Sequence, residues 1–302
     1  MKYKNWSLLK NLALTEHETK RQCSLKEFIR QIDLNKSKLK KIESLLAGPF
    51  QSTKVGTGFD FNEIREYKMG DDLRHISWST TAKTGTLHTK EYFAEKEITS
   101  YFLVDISNSM LCGNKLDSFV QLFAFLLNLS SRLSEKIGGV FFSHDINYIF
   151  PIEHANTQAN IIFQTFINFI YDINKKVSIP STCTNLYKAL EFTQKHFHKK
   201  GFVYLISDFI NLTNWEKSIF QTSQKQNIYS FQIYDSIDFQ LPKNGYVTII
   251  DPETNQRCIV NTDNKLIQES YYKTMIQRQE ELKSFLKKIG VHHMAIEKSD
   301  FE

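Results

Sequence analysis

From residue 99 onward the chain alternates two hydrophobic rhythms. "SYFLVDI" (100–106) and "GFVYLISDF" (201–209) are short, nearly continuous apolar runs, the pattern of strands buried on both faces. After the first run, Leu116, Phe119, Val120, Leu122, Phe123, Leu126, Leu127 and Leu133 recur at helical spacing. "IGGVFFS" (137–143) and "NYIFPI" (147–152) flank the polar corner Ser143-His144-Asp145 and predict a hairpin. The pattern predicts further helices over about 156–173, 186–198, 214–226 and 264–289. It predicts strands over "IYSFQIY" (228–234) and "VHHMAIE", the latter (291–297) at a sheet edge. A small β excursion is expected within about 236–263, where "YVTIIDPETNQRCIV" turns at Pro252-Glu253-Thr254-Asn255.

Apolar strands alternating with amphipathic helices predict an α/β fold, with a doubly wound, mostly parallel sheet over residues 98–302. Residues 1–97 read differently and are expected to form an α+β accessory region. Ser24 and Glu27 make a capping box, apolar positions recur from Phe28 to Leu46, and Gly48-Pro49 stops the pattern, which predicts one or two helices. From Gly56 to about Thr99 short alternating pieces are broken at Gly70-Asp71-Asp72 and Thr84-Gly85, more like strands and loops than helix.

Charge changes the picture at one end only. Residues 1–55 carry 12 Lys/Arg against 5 Asp/Glu, whereas the remainder carries 26 against 28, so the net +5 belongs to the N-terminal segment. Its basic residues lack interleaved aromatics, so a solvated helix face is expected and nucleic acid is not an expected partner. No stretch approaches the roughly 20 apolar residues of a membrane span, and the N-terminus has no signal-peptide pattern. A cytoplasmic location is therefore expected. Cys23, Cys112, Cys183 and Cys258 lie far apart with no Cys-x-x-Cys pair, so neither a zinc site nor a disulfide framework is signalled.

The candidate chemistry sits where strands end. In such sheets ligands gather at the carboxyl ends of the strands near the point where strand order reverses. Asp105, Ser107 and Ser109 are alternate residues leaving "YFLVD", and can turn one carboxylate and two hydroxyls toward a common point. A hydroxyl from "STCTNLYKAL", assigned to Thr184, and Asp208 of "LISDF" would complete the set. Oxygen-only ligands suit a hard divalent cation, Mg²⁺ first, with Mn²⁺ and Ca²⁺ as alternatives. Taken singly, a serine or threonine beside an aspartate at a helix start simply caps it; three such elements at successive strand ends favour a site.

These stretches carry a resemblance. "DISNS", "TNLYKAL" and "LISDF" resemble the metal-ion-dependent adhesion site of von Willebrand factor A domains. "GTGFDFNEIREYKMGDDLRHISWSTTAKTG" (56–85) resembles the signature of the bacterial "domain of unknown function 58" family, whose members contain a von Willebrand A-like domain. The resemblance covers about residues 50–302, departing at Ser77, where aspartate is usual, and at Lys83, where arginine is usual. It implies a non-enzymatic, metal-dependent protein-binding adaptor that works with a MoxR-type AAA+ ATPase in assembly or maturation of other proteins. A cation held by two carboxylates and three hydroxyls stays electron-poor, so an acidic client or partner is expected at its open position.

The alternative is a metal-dependent phosphohydrolase with Asp105 as nucleophile. That chemistry wants a second acid two residues later, and position 107 is serine. Within the signature, Glu63, Arg65, Glu66, Asp71, Asp72, Arg74 and His75 are expected to form an ion-paired strap. Its Phe59, Phe61, Ile64, Tyr67 and Trp78 are expected to pack against the neighbouring domain. His292 and His293 read as structural.

Overall fold

The computed structural model describes residues 25–31, 40–46, 61–92, 98–111, 115–175, 184–210, 212, 214–235, 238–250 and 257–297. The four apolar or glycine-rich features at Gly48-Pro49, Gly56, Phe59 and the turn at 252–255 lie outside the described residues, as do Cys23, Cys112, Cys183 and most of the basic N-terminal segment. In chain order the elements begin with helices α1 (Leu25–Gln31) and α2 (40–46), strand β1 (Phe61–Glu66), helix α3 (Trp78–Thr84) and strand β2 (His88–Tyr92). Next come β3 (Thr99–Asp105), the short α4 (Asn108–Leu111), α5 (Lys115–Leu133), β4 (Lys136–Phe142), β5 (Ile146–His154) and α6 (Ala155–Lys175). The chain continues through α7 (Leu186–His196), β6 (Phe202–Ser207), α8 (Glu216–Ser223), β7 (Asn227–Tyr234), β8 (Tyr246–Ile250), β9 (Arg257–Asn261), α9 (Lys265–Lys288) and β10 (His292–Glu297). Packing divides it into two compact units, Met1–Asn35 with Thr99–Glu302, and Lys36–Ile98.

The larger unit is built on a six-stranded sheet of order β10-β7-β6-β3-β4-β5. All pairings are parallel except β4 with β5, which the three-residue corner at 143–145 joins as an antiparallel hairpin. β3 lies at the centre, and every one of its residues is buried. The chain leaves β3 toward β4 and β5, then returns to add β6, β7 and β10 on the other side. Strand order thus reverses between β3 and β6, where a doubly wound sheet opens a crevice at its carboxyl rim. Register fixes the rim: Asp105 stands opposite Phe142 of β4, and Val104 opposite Ile206 of β6.

The period-2 alternation of strand side chains feeds two cores. Tyr101 and Leu103, with Val203 and Leu205 of β6, join Leu186, Leu190, Trp215, Ile219 and Leu286 from helices α7, α8 and α9 on one face. On the other face Phe102 and Phe141 meet an aromatic cluster from α5 and α6. There Phe166 lies with its ring centroid 4.7 Å from that of Phe123 and 4.8 Å from that of Phe119. Gly139 makes the tight β3–β4 approach possible, because a Cβ there would overlap the Phe102 backbone. α1 also belongs to this unit: Phe28 packs on Phe163 at 5.0 Å, and the Leu25 N–H donates to Asn160 Oδ1 at 3.1 Å. The predicted hairpin, helices and C-terminal edge strand of this region are all present, and the excursion is a separate β8–β9 ribbon.

In the smaller unit, β1 and β2 pair antiparallel. α3 is a departure from the expected strands and loops. Its sequence, "WSTTAKT", is rich in β-branched residues that weaken helical preference, but its ends are well closed. Ser77 and Thr80 hydroxyls lie 3.0 Å apart at the start, and Gly85 at φ 78 donates to Thr81 O at the end. The Thr84-Gly85 break is therefore a left-handed helix terminus. The ion-paired strap is present, with Arg65 held by both Asp71 oxygens at 2.8 and 2.9 Å and Arg74 paired with Asp72. Within this unit Phe61, Ile64 and Trp78 are exposed, Trp78 by 68%.

Candidate metal centre

Asp105 ends β3 and is wholly buried. Its Oδ1 accepts from the Ser107 N–H at 2.9 Å, an Asx-type turn that bends the chain off the strand, and its Oδ2 accepts from Ser207 Oγ at 2.7 Å. Both partners are neutral. Burial and the nearby charge of Asp208 push the Asp105 carboxyl up to about 7, against the opposing hydrogen bonds of Ser207 and Ser107. Ser107 and Ser109 are also buried, and their hydroxyls meet at 3.0 Å. One carboxylate and two hydroxyls are thus gathered at the central strand's end, as the alternation from Asp105 predicts.

Asp208 follows β6 on one side of this point. Ser207 links the two strand ends, since its hydroxyl donates to Asp105 and accepts from the Phe209 N–H at 3.1 Å. Phe209 takes a left-handed φ of 57° as the chain turns over the rim. Thr184 approaches from the other side. It is buried immediately before Asn185, whose N–H donates to Ser143 O at 2.7 Å and whose side chain caps α7 through the Lys188 N–H. Ser143 follows Phe142, the register partner of Asp105. All five expected residues therefore stand at one rim, with Asp105, Ser107 and Ser109 in direct contact.

Sequence reasoning missed Lys115. The first residue of α5 buries its ammonium 3.2 Å from Asp208 Oδ2 and 3.4 Å from Asp238 Oδ2, and its side chain is only 4% exposed. Burial pushes this amine down, but the two carboxylates outweigh it and hold it above the ordinary lysine value. Asp238 was equally unforeseen; it lies just before the β8–β9 excursion.

The donor set fits a hard divalent cation. Asp105, Asp208 and Asp238 bring three carboxylates against one ammonium, so the ionised cluster lacks two positive charges. A buried carboxylate with only neutral partners is costly unless a cation or a proton offsets it. Asp105, Ser107, Ser109 and Thr184 would hold such an ion by hard oxygens. Among the described residues there is no group of three or more His, Cys, Asp or Glu able to hold a metal, which disfavours a carboxylate-rich or soft-metal centre. The two strand histidines are structural, as expected: His292 stacks on Tyr229 at 4.9 Å and His293 Nδ1 lies 3.2 Å from Ser230 Oγ.

Comparison with known proteins finds one family and several distant relatives. The family model described as "Protein of unknown function DUF58" matches residues 63–281, well over half the chain. An uncharacterized protein of Mycobacterium tuberculosis is 24% identical over 219 residues, 71% of this chain and 67% of that protein. Among solved structures, an aerotolerance-related membrane protein from Bacteroides fragilis is 15% identical with a TM-score of 0.41, covering 67% of this chain and 93% of that one. A von Willebrand factor type A protein from Catenulispora acidiphila is 12% identical with a TM-score of 0.36, covering 60% and 41%. The expectation of a cytoplasmic location is corrected: the Bacteroides neighbour is named as a membrane protein. That expectation rested on the lack of an apolar span. No helix among the described residues is long and apolar enough to cross a membrane, but this does not fix a compartment. With a family match over residues 63–281, well over half of its length, the chain belongs to the DUF58 family.

Proposed function

We propose that this protein is a non-enzymatic, metal-dependent adaptor that joins an acidic residue of a partner through a divalent cation at the β3–β6 rim. Mg²⁺ is the proposed ion, with Mn²⁺ and Ca²⁺ as alternatives of the same hard-oxygen chemistry. The observation that carries the reading is Asp105, fully buried with two neutral hydrogen-bond donors, beside two buried hydroxyls that meet at 3.0 Å. Asp105 supplies the directly held negative charge, while Ser107, Ser109 and Thr184 supply neutral oxygens. Asp208 is set back by its bond to Lys115 and acts through water. Such a donor set leaves the bound cation electron-poor, and its open position attracts a carboxylate from outside the chain.

The partner classes have different supports. The acidic client follows from the charge of the site. A MoxR-type AAA+ ATPase, acting with this protein in assembly or maturation of other proteins, is proposed from the family resemblance alone. Phosphohydrolysis is the weaker reading, because position 107 carries no acid.

The test is a pulldown with wild type and Asp105→Ala, each with Mg²⁺ and with EDTA, alongside a generic phosphatase assay. Partner retention lost in EDTA and in Asp105→Ala is expected. Retention indifferent to both treatments would refute the adaptor, and phosphatase turnover that disappears in Asp105→Ala would put the enzyme in its place.

A further inference from the structure

The cation reading uses Lys115 only to set Asp208 back, yet the lysine is one of the most deeply buried charges among the described residues. A lysine at the start of a helix ordinarily extends its amine into water. Here the amine stands between two carboxylates of different exposure: the Asp208 side chain is 1% exposed and that of Asp238 23%. Asp208 faces the rim, where its Oδ1 accepts from the Ile210 N–H at 3.2 Å. Asp238 belongs to the turn after β7. Its Oδ2 accepts from the Asp235 N–H at 3.0 Å, and its carbonyl accepts from the Tyr271 hydroxyl of α9 at 3.0 Å. A single structural ion pair needs one acid; this arrangement supplies the amine with two, one of which is a candidate ligand.

We propose that Lys115 is a tethered counter-ion that competes with the divalent cation for Asp208. When the rim holds no divalent ion, the ammonium neutralises Asp208. When the rim is loaded, Asp208 turns to the ion, and Lys115, repelled by the dication, is retained by Asp238 alone. Asp238 is thus the holding position that lets the lysine release Asp208 without being left buried and unpaired. Lys115 also sets the strength of the site, since a fixed positive charge a few ångströms away opposes a dication throughout. This rests on the cation reading above and names its regulator.

The experiment is Mn²⁺ binding to the full chain, followed by electron paramagnetic resonance, for wild type, Asp105→Ala, Lys115→Met and Lys115→Met/Asp238→Asn. The methionine removes the charge at similar length, and the double variant restores the cluster's charge balance where the single one fails to fold. Lys115→Met is expected to tighten Mn²⁺ by about tenfold or more, and the double variant to remain tighter than wild type because Asp208 is free. In the wild-type chain, the ¹⁵N signal of the Lys115 ammonium should shift on adding Mg²⁺.

A folded Lys115 variant with wild-type or weaker affinity, or a Lys115 signal indifferent to saturating Mg²⁺, overturns the competition while leaving the cation site standing. Wild-type binding that survives Asp105→Ala overturns the cation site itself. Binding by Lys115→Met but not by wild type would establish the counter-ion and reject a loaded native site. Binding by neither would reject both.

Discussion

Replacing Asp105 with asparagine should make the metal-free protein more stable and abolish its response to divalent ions. Asparagine keeps one hydrogen bond and reverses the other. Its Oδ1 accepts from the Ser107 N–H as the carboxylate does, and its Nδ2 donates to Ser207 Oγ, which has a second acceptor site available. What changes is the charge. An aspartate titrates near 4 in the unfolded chain, about 3.9, and burial with Asp208 nearby pushes it up to about 7 here. For an acid raised on folding, the native state holds its proton more tightly than the unfolded state. Stability is therefore lost as pH rises from the unfolded value through the folded one, and is low and flat above it. Each pH step in that window costs about 1.4 kcal/mol, so at pH 8 the ionised aspartate costs roughly 2–4 kcal/mol that asparagine avoids. The assay is urea and thermal unfolding in EDTA at pH 5 and pH 8. For a unit of this size about 1 kcal/mol moves the midpoint by about 2–4 °C, so the variant should gain most at pH 8 and less than half as much at pH 5. Added Mg²⁺ should raise the wild-type midpoint by mass action and leave the variant unmoved. An asparagine variant less stable than wild type in EDTA at pH 8 would refute the reasoning.

Three further outcomes are expected. Ser107→Ala and Ser109→Ala each remove one neutral oxygen and should weaken Mn²⁺ in titrations by less than Asp105→Ala, which removes the directly held charge. His293, lowered to about 4 by burial and then by Lys283, resists a proton that the unfolded chain accepts near 6.5. Stability should therefore be lost as pH falls from about 6.5 to 4, by up to about 3 kcal/mol, and His293→Gln should flatten that part of the urea midpoint profile. Gly139→Ala should destabilise by about 3 kcal/mol, the upper range for overpacking, because its Cβ would meet the Phe102 backbone between two central strands; chemical denaturation measures it.

The parts legible in the sequence are those governed by local rules. Asp105, Ser107 and Ser109 announce themselves because alternate residues at a strand end share a direction, and β3 and β6 because both faces of each are covered, leaving unbroken apolar runs. Asp208 is found by the same rule. Lys115 is hidden for a physical reason. Its partners lie 93 and 123 positions away, and a lysine opening an amphipathic helix has the same local signature whether it reaches water or an internal acid. Asp238 is hidden likewise, in a turn before an irregular excursion. Helix α3 escaped because its threonines favour strands while its C-terminal end is closed by the left-handed Gly85.

The Asn185 N–H bond to Ser143 O has a consequence for how this site can diverge. The acceptor is a main-chain carbonyl, which every amino acid carries, so the identity of residue 143 is invisible to the segment holding Thr184. The neighbouring His144 and Asp145 are exposed on the same corner. Asp145 pairs with Lys188 of α7 and is tied to that segment, but mutations at residues 143 and 144 can rewrite the outward side chains beside the rim while the backbone keeps Thr184 in place. Drift at the corner and preservation of the candidate site's geometry thereby become separable.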